Sequence, residues 1–246
     1  MLEGLYSAAA GMAAQQDRMD SLANDVANVN TPGYKHLRVG FRDLIYQQSG
    51  RGSLTNVRTG TGAAAMTLGR SQAEGSLQQT GNPLDLAIQG DGFFQVRRPN
   101  GQLALTRNGS FRLDPTGRLV NDQGVLVQAG VTVPRGTSPK QLHIASDGTV
   151  TTDGGRRLDR IQLATVPSTD GLQPLGDNLF AATAASGPAR AAGRGSSITT
   201  GTLEMSNVQL ADAMTDMMDA QRSFELASRA ISMQDQILGI ANGVKR

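Results

Sequence analysis

The residues able to do chemistry are few and scattered. Two histidines, His36 and His143, stand far apart in unrelated contexts, the pattern of surface or half-buried side chains and not of a metal pair. Cysteine is absent, which removes disulfides, thiolate metal sites and cysteine nucleophiles together. Gly90-Asp91-Gly92 begins like a dinucleotide fingerprint, but Gln95 stands where the third glycine would fall, so the match fails. Asp147-Gly148 and Asp153-Gly154-Gly155 could suggest calcium, yet tight turns ask for the same residues for backbone reasons alone. None of the 21 acidic residues stands in a recognisable acid–base signature, and there is no P-loop or nucleophile elbow. The expectation is a protein that is not an enzyme, with no cofactor, no metal and no small-molecule substrate.

What the spacing does carry is burial. Near the C-terminus, Leu210, Met217, Phe224, Ile231 and Leu238 recur every seven residues, each followed three residues later by Ala213, Ala220, Ala227, Gln234 or Ala241. A large residue at one seam position and mostly alanine at the other is a heptad pattern. No Gly or Pro interrupts it before Gly239, Asn207 can cap its start, and Asp212, Asp216 and Asp219 in its first half with Lys245 and Arg246 at its end suit the helix dipole. The N-terminus supplies a matching stripe at Leu5, Met12, Met19 and Val26, with Ala8, Gln15, Leu22 and Val29 three residues on, until Asn28, Asn30, Pro32 and Gly33 end the run. The residues between show no second apolar face, so the strict seven predicts a coiled coil and not a globular core.

Composition agrees with an extended shape. Only 38% of the chain is hydrophobic and 4% aromatic, a thin supply of core for 246 residues. Net charge is +2 with no long basic run, so nothing argues for nucleic acid. No stretch approaches eighteen apolar residues, and Met-Leu-Glu-Gly is neither a basic leader nor an apolar signal core. The chain is expected to stay in the cytoplasm or to leave by a route that needs no cleaved signal.

Between the helices the period changes. Residues 37–48 hold a short apolar group that fits a helical turn or a strand equally. Residues 49–82 are rich in Gly, Ser, Thr and Gln and predict an arm whose hydrophobes (Leu54, Val57, Met66, Leu68, Leu77) dock elsewhere. From Asn82 to Phe180 alternation at a period of two, in runs such as Leu84 to Ile88, Phe93 to Val96 and Leu103 to Leu105, is punctuated by turns at Pro99-Asn100-Gly101, Asn108-Gly109 and Asp114-Pro115-Thr116-Gly117. The fold expected is α+β: an N-terminal helix in 1–33, an arm in 34–81, an all-β domain in 82–180, a flexible return in 181–202 and a C-terminal helix in 203–246.

These residues carry a family resemblance. Asn24 to Lys35, Asn-Asp-Val-Ala-Asn-Val-Asn-Thr-Pro-Gly-Tyr-Lys, resembles the signature that ends the N-terminal helix of bacterial flagellar rod and hook proteins. Leu203-Glu204-Met205-Ser206-Asn207-Val208, continuing to Ala220-Gln221-Arg222-Ser223-Phe224-Glu225, resembles their C-terminal signature. Gly81 to Phe94 and Thr106-Arg107-Asn108-Gly109-Ser110-Phe111 look like their β-domain motifs. The resemblance implies a basal-body rod subunit, exported unfolded through the flagellar type III apparatus and assembled with copies of itself into a helical tube. Other rod proteins, the hook protein and surrounding ring proteins would be its partners. Distal and proximal rod both stay open, as do a short hook-type protein and, from another class, a phage-tail-like or extracellular trimeric fibre. The assembly residues expected from stripes and signatures are Leu5, Met12, Met19, Leu22, Val26, Asn28, Asn30, Thr31, Pro32, Gly33, Tyr34, Ser206, Asn207, Val208, Leu210, Met214, Met217, Gln221, Arg222, Phe224, Ile231 and Leu238.

Overall fold

Alanine and long unbranched side chains dominate both ends of the chain, and both ends are helical. A computed structural model describes residues 2–44, 46–48, 58–128, 131–134, 137–193 and 195–244. Helix α1 spans Leu2–Ala27 and stops short of Asn28 and Asn30, where the Thr31 amide donates back to the Asn28 carbonyl at 3.1 Å. Helix α2 spans Leu210–Val244, about 52 Å at 1.5 Å per residue, and runs through Gly239. Asn207 is not its cap, because the Asn207 side chain is engaged elsewhere and the first turn begins three residues later. The chain divides into two compact units, 1–27 with 37–68 and 209–246, and 28–36 with 69–208.

In the helical unit α1 and α2 run antiparallel, since Arg18 pairs with Asp216 at 3.0 Å while Gly4 lies beside Gln234. Leu210 apart, the heptad residues whose side chains are described turn inward. Ala213 and Ala220 are buried, and Leu5, Met12, Met19, Leu22, Val26, Met217, Phe224 and Ile231 are half-buried. Strands Leu37–Asp43 and Ala63–Arg70 pair beside α1, so residues 37–43, open between turn and strand in the sequence, are strand. The Leu37 amide donates to Asp25, and a Cβ on Gly62 would sit 2.8 Å from that of Ala10.

The expectation of no second apolar face is wrong. Leu210, Met214 and Met218, four residues apart, and then Leu226, Met233 and Ile240, seven apart, stand between 44 and 69% exposed on α2. All but Leu210, which opens the heptad row and is itself exposed, lie off the seven-residue rows, which is why the spacing of those rows does not show them. Leu54, Val57, Lys245, Arg246 and the Leu238 side chain lie outside the described residues. Met66, Leu68 and Leu77 are exposed, although Leu68 lies against Gly40 of the paired strand.

The β unit is a set of antiparallel pairings about Phe93–Arg97, which is flanked by Leu103–Thr106 on one side and by Leu126–Val127 and Leu163–Thr165 on the other. Its core joins Leu86, Ile88, Phe94, Phe111, Val150 and Ile161, with Phe94 and Phe111 edge to face at 5.1 Å. Turn residues behave as their types demand: Gly101, Gly117 and Gly148 take positive φ. Asp114 accepts from the Thr116 hydroxyl and the Arg118 amide, and Asp147 from the Thr149 amide and hydroxyl, which holds both carboxyls below the usual carboxylate range.

The segment expected as a flexible return carries strands. Ser197–Thr200 pairs with Leu86–Gln89, Thr202–Glu204 pairs with Leu77–Gln79, and Arg190–Ala191 pairs with Leu163–Thr165. Small residues are accepted because the partner strand, not side-chain size, fixes these segments. The arm likewise ends in the strand Leu77–Gln79. Residues 28–36 belong to the β unit and not to the N-terminal helix.

Candidate functional site

The two signatures meet inside the β unit. After α1, Pro32 ends helical geometry and Gly33 takes φ +69°, so its amide donates to the Glu204 carbonyl at 2.8 Å. A Cβ there would come within 2.5 Å of the Asn108 nitrogen, so only glycine fits. Asn178 donates to the Pro32 carbonyl at 3.1 Å. Tyr34 is buried under the Arg70 guanidinium, 5.1 Å from its ring, and Arg70 also donates to the Lys35 carbonyl at 2.7 Å.

The next residue carries the charge. Lys35 is 1% exposed, and its ammonium donates to Glu204 Oε1 at 2.5 Å and to the Ala73 carbonyl at 2.6 Å. Glu204 Oε1 also accepts from the Gly75 amide at 3.1 Å, and Oε2 accepts from Arg107 at 3.1 Å. Arg107 donates onward to the Gly90 carbonyl at 2.9 Å. Burial disfavours the ammonium and lowers the Lys35 pKa, an effect that the Glu204 carboxylate partly offsets. Two cations thus share one carboxylate away from water.

Asn207 stitches the same segments. Its Oδ1 accepts from the His36 amide at 2.9 Å, and its Nδ2 donates to the carbonyls of Ser71 and Ala73 at 3.2 and 3.0 Å. Buried Ser206 accepts from the Val208 amide. With both oxygens of Glu204 and the ammonium of Lys35 engaged, the arrangement is a cross-link, with no acid or base left to transfer a proton to a substrate. Among the described residues, no group of three or more His, Cys, Asp or Glu could hold a metal, and no helix is long and apolar enough to cross a membrane.

Three family models match in chain order: the flagella basal body rod protein model over residues 5–35, the flagellar hook protein FlgE/F/G D1 domain over 87–152, and the flagellar basal body rod FlgEFG protein C-terminal model over 199–244. The flagellar basal-body rod protein FlgG of Borreliella burgdorferi is 38% identical over 264 residues, covering all of both chains. The chain belongs to the flagellar basal-body rod family. FlgG of Bacillus subtilis is 38% identical and FlhP of the same organism, a flagellar hook-basal body complex protein, is 32% identical, each over the full length of both chains. Rod-family relatives are structural proteins, which agrees with a chain that is not an enzyme.

The rod signatures are therefore placed in two ways. Gly33, Tyr34, Ser206 and Asn207, with Thr31 and Pro32 half-buried beside them, hold the subunit's own β unit together. Asn28 accepts from Thr31, and Asn30 is exposed. On the helical unit Leu210, Met214, Gln221 and Arg222 face solvent, Arg222 lying 3.9 Å from Asp219. Lys35, Arg107 and Glu204 were present in the quoted motifs but not among the expected site residues. The available signal is a charged side chain inside each of three motifs rich in small polar and apolar residues, a signal that Asp25 in the first motif shares.

Proposed function

We propose that this chain is a structural subunit of the rod that polymerises through its terminal helices into a helical tube, in the distal part of the rod. The observation that carries the reading is the exposed apolar row of α2, which a lone subunit leaves wet. Burying a large apolar side chain contributes roughly 1.5 to 3 kcal/mol, so several such positions per copy favour stacking. In the assembly the α1 and α2 seams close as a coiled coil with alanine allowing close approach. Full-length similarity to proteins named FlgG supports the distal position, and the FlhP match keeps another hook-basal body position as the second reading. The subunit contacts copies of itself, neighbouring rod, hook and ring proteins, and the type III export apparatus that delivers it.

The variant Phe224→Asp tests this. A charge in the seam is expected to abolish assembly, so that cells carrying only this variant build rods stopped at the height seen in a strain lacking the chain. The purified variant keeps the circular dichroism and exchange protection of the β unit. Normal rods in those cells would refute the reading.

A further inference from the structure

An arginine-lined groove at one end of the β unit has no role in anything described so far. It encloses about 690 Å3, with Leu113, Val120 and Leu126 among its apolar lining. Arg97, Arg98, Arg112 and Arg118 also line it, against the single carboxylate of Asp114. That carboxylate is taken by Arg118 at 2.9 Å, and Arg112 donates to the neutral Asp122 carbonyl at 3.0 Å. The guanidiniums of Arg97 and Arg98 have no hydrogen-bond or ion-pair partner among the described residues, so the groove is apolar inside and cationic at its mouth.

We propose that the groove receives the outer face of α2 from a second copy of the chain. The complement it asks for is both acidic and apolar, and the helices are the acidic part of the molecule: α1 carries four acids to one base and α2 five to two. On α2, Asp212 and Asp219 are exposed one heptad apart, and the same seven-residue row continues through exposed Leu226, Met233 and Ile240. Planar guanidiniums bind carboxylates through two parallel hydrogen bonds, and Leu226 and the adaptable Met233 fit an apolar floor of irregular shape. Groove and helix face are unlike patches, so their contact propagates from copy to copy instead of closing on itself. The inference deepens the proposed self-assembly and rests on it.

Because the chain has no cysteine, R98C and D219C each carry a single thiol. Mixed under assembly conditions with a short thiol–thiol crosslinker, they are expected to give a covalent dimer containing one of each, and this dimer is lost at ~1 M salt, where screening acts within a few ångström. R97E/R98E is expected to slow polymerisation at least tenfold with an unchanged thermal melt, and R97Q/R98Q to slow it less. D212R/D219R slows it likewise, and combining both charge reversals restores the rate. Absence of the mixed dimer, or polymerisation of R97E/R98E at the normal rate, overturns the proposal; so does an R97E/R98E defect that D212R/D219R fails to rescue, which would assign the groove to another polyanion. Should the unaltered chain form no polymer at all, the assembly reading fails, whereas a salt-sensitive mixed dimer in that same protein still supports the groove.

Discussion

Glu204 is the residue on which the β unit turns. Its carboxylate accepts from Lys35, Arg107 and the Gly75 amide while its carbonyl accepts from Gly33, so one residue ties three other stretches of chain to its own. Removing one partner of a buried ion cluster leaves charge uncompensated, and Glu204→Ala strands two cations. It is expected to cost about 3 to 5 kcal/mol in the urea unfolding of the β unit. Lys35 adds a pH signature. Its folded pKa lies below the 10.5 of a free lysine, so the native state gives up its proton before the unfolded chain does. Stability therefore rises as pH climbs from the folded pKa toward 10.5, and Lys35→Met flattens that rise in urea midpoints measured along the alkaline range. Each of the three charges was legible as a motif member. Their meeting was not, because nothing local brings Lys35 to a residue 169 positions away.

At the scale of elements, hairpins with strong turn chemistry were legible and strands without it were not. Asp114-Pro115-Thr116-Gly117 announces its turn through an aspartate that binds the loop amides and a glycine at positive φ. By contrast Ser197–Thr200 and Thr202–Glu204 have neither large side chains nor long alternation, and become strands because Leu86–Gln89 and Leu77–Gln79 offer free edges. Close backbone approach is the price of that pairing. A Cβ on Gly75 would stand 1.9 Å from the Met205 carbonyl oxygen, whereas one on Gly193 would meet nothing within 4 Å. Gly75→Ala is thus expected to destabilise the β unit by about 1 to 3 kcal/mol in thermal unfolding, with Gly193→Ala close to neutral.

For the whole molecule, the heptad rows told which faces of the end helices turn inward but not that α2 keeps a second greasy face. The rows are a local pattern, and what covers the remaining side chains is decided between copies. Helices held by a half-buried seam open at low cost. Amide exchange of verified monomer is accordingly expected to show weak protection at residues 5–29 and 208–238 and strong protection in Phe93–Arg97 and Leu103–Thr106; strong protection throughout would contradict it. The pairing of Lys35 with Glu204 also sets a timetable. A ribosome synthesising this chain has to release nearly all of it before the earliest motif finds its counter-ion, and closing so large a loop is entropically slow. Until then the first motif has no buried counter-ion, so the cross-link of the β unit is among the last of its contacts that synthesis allows.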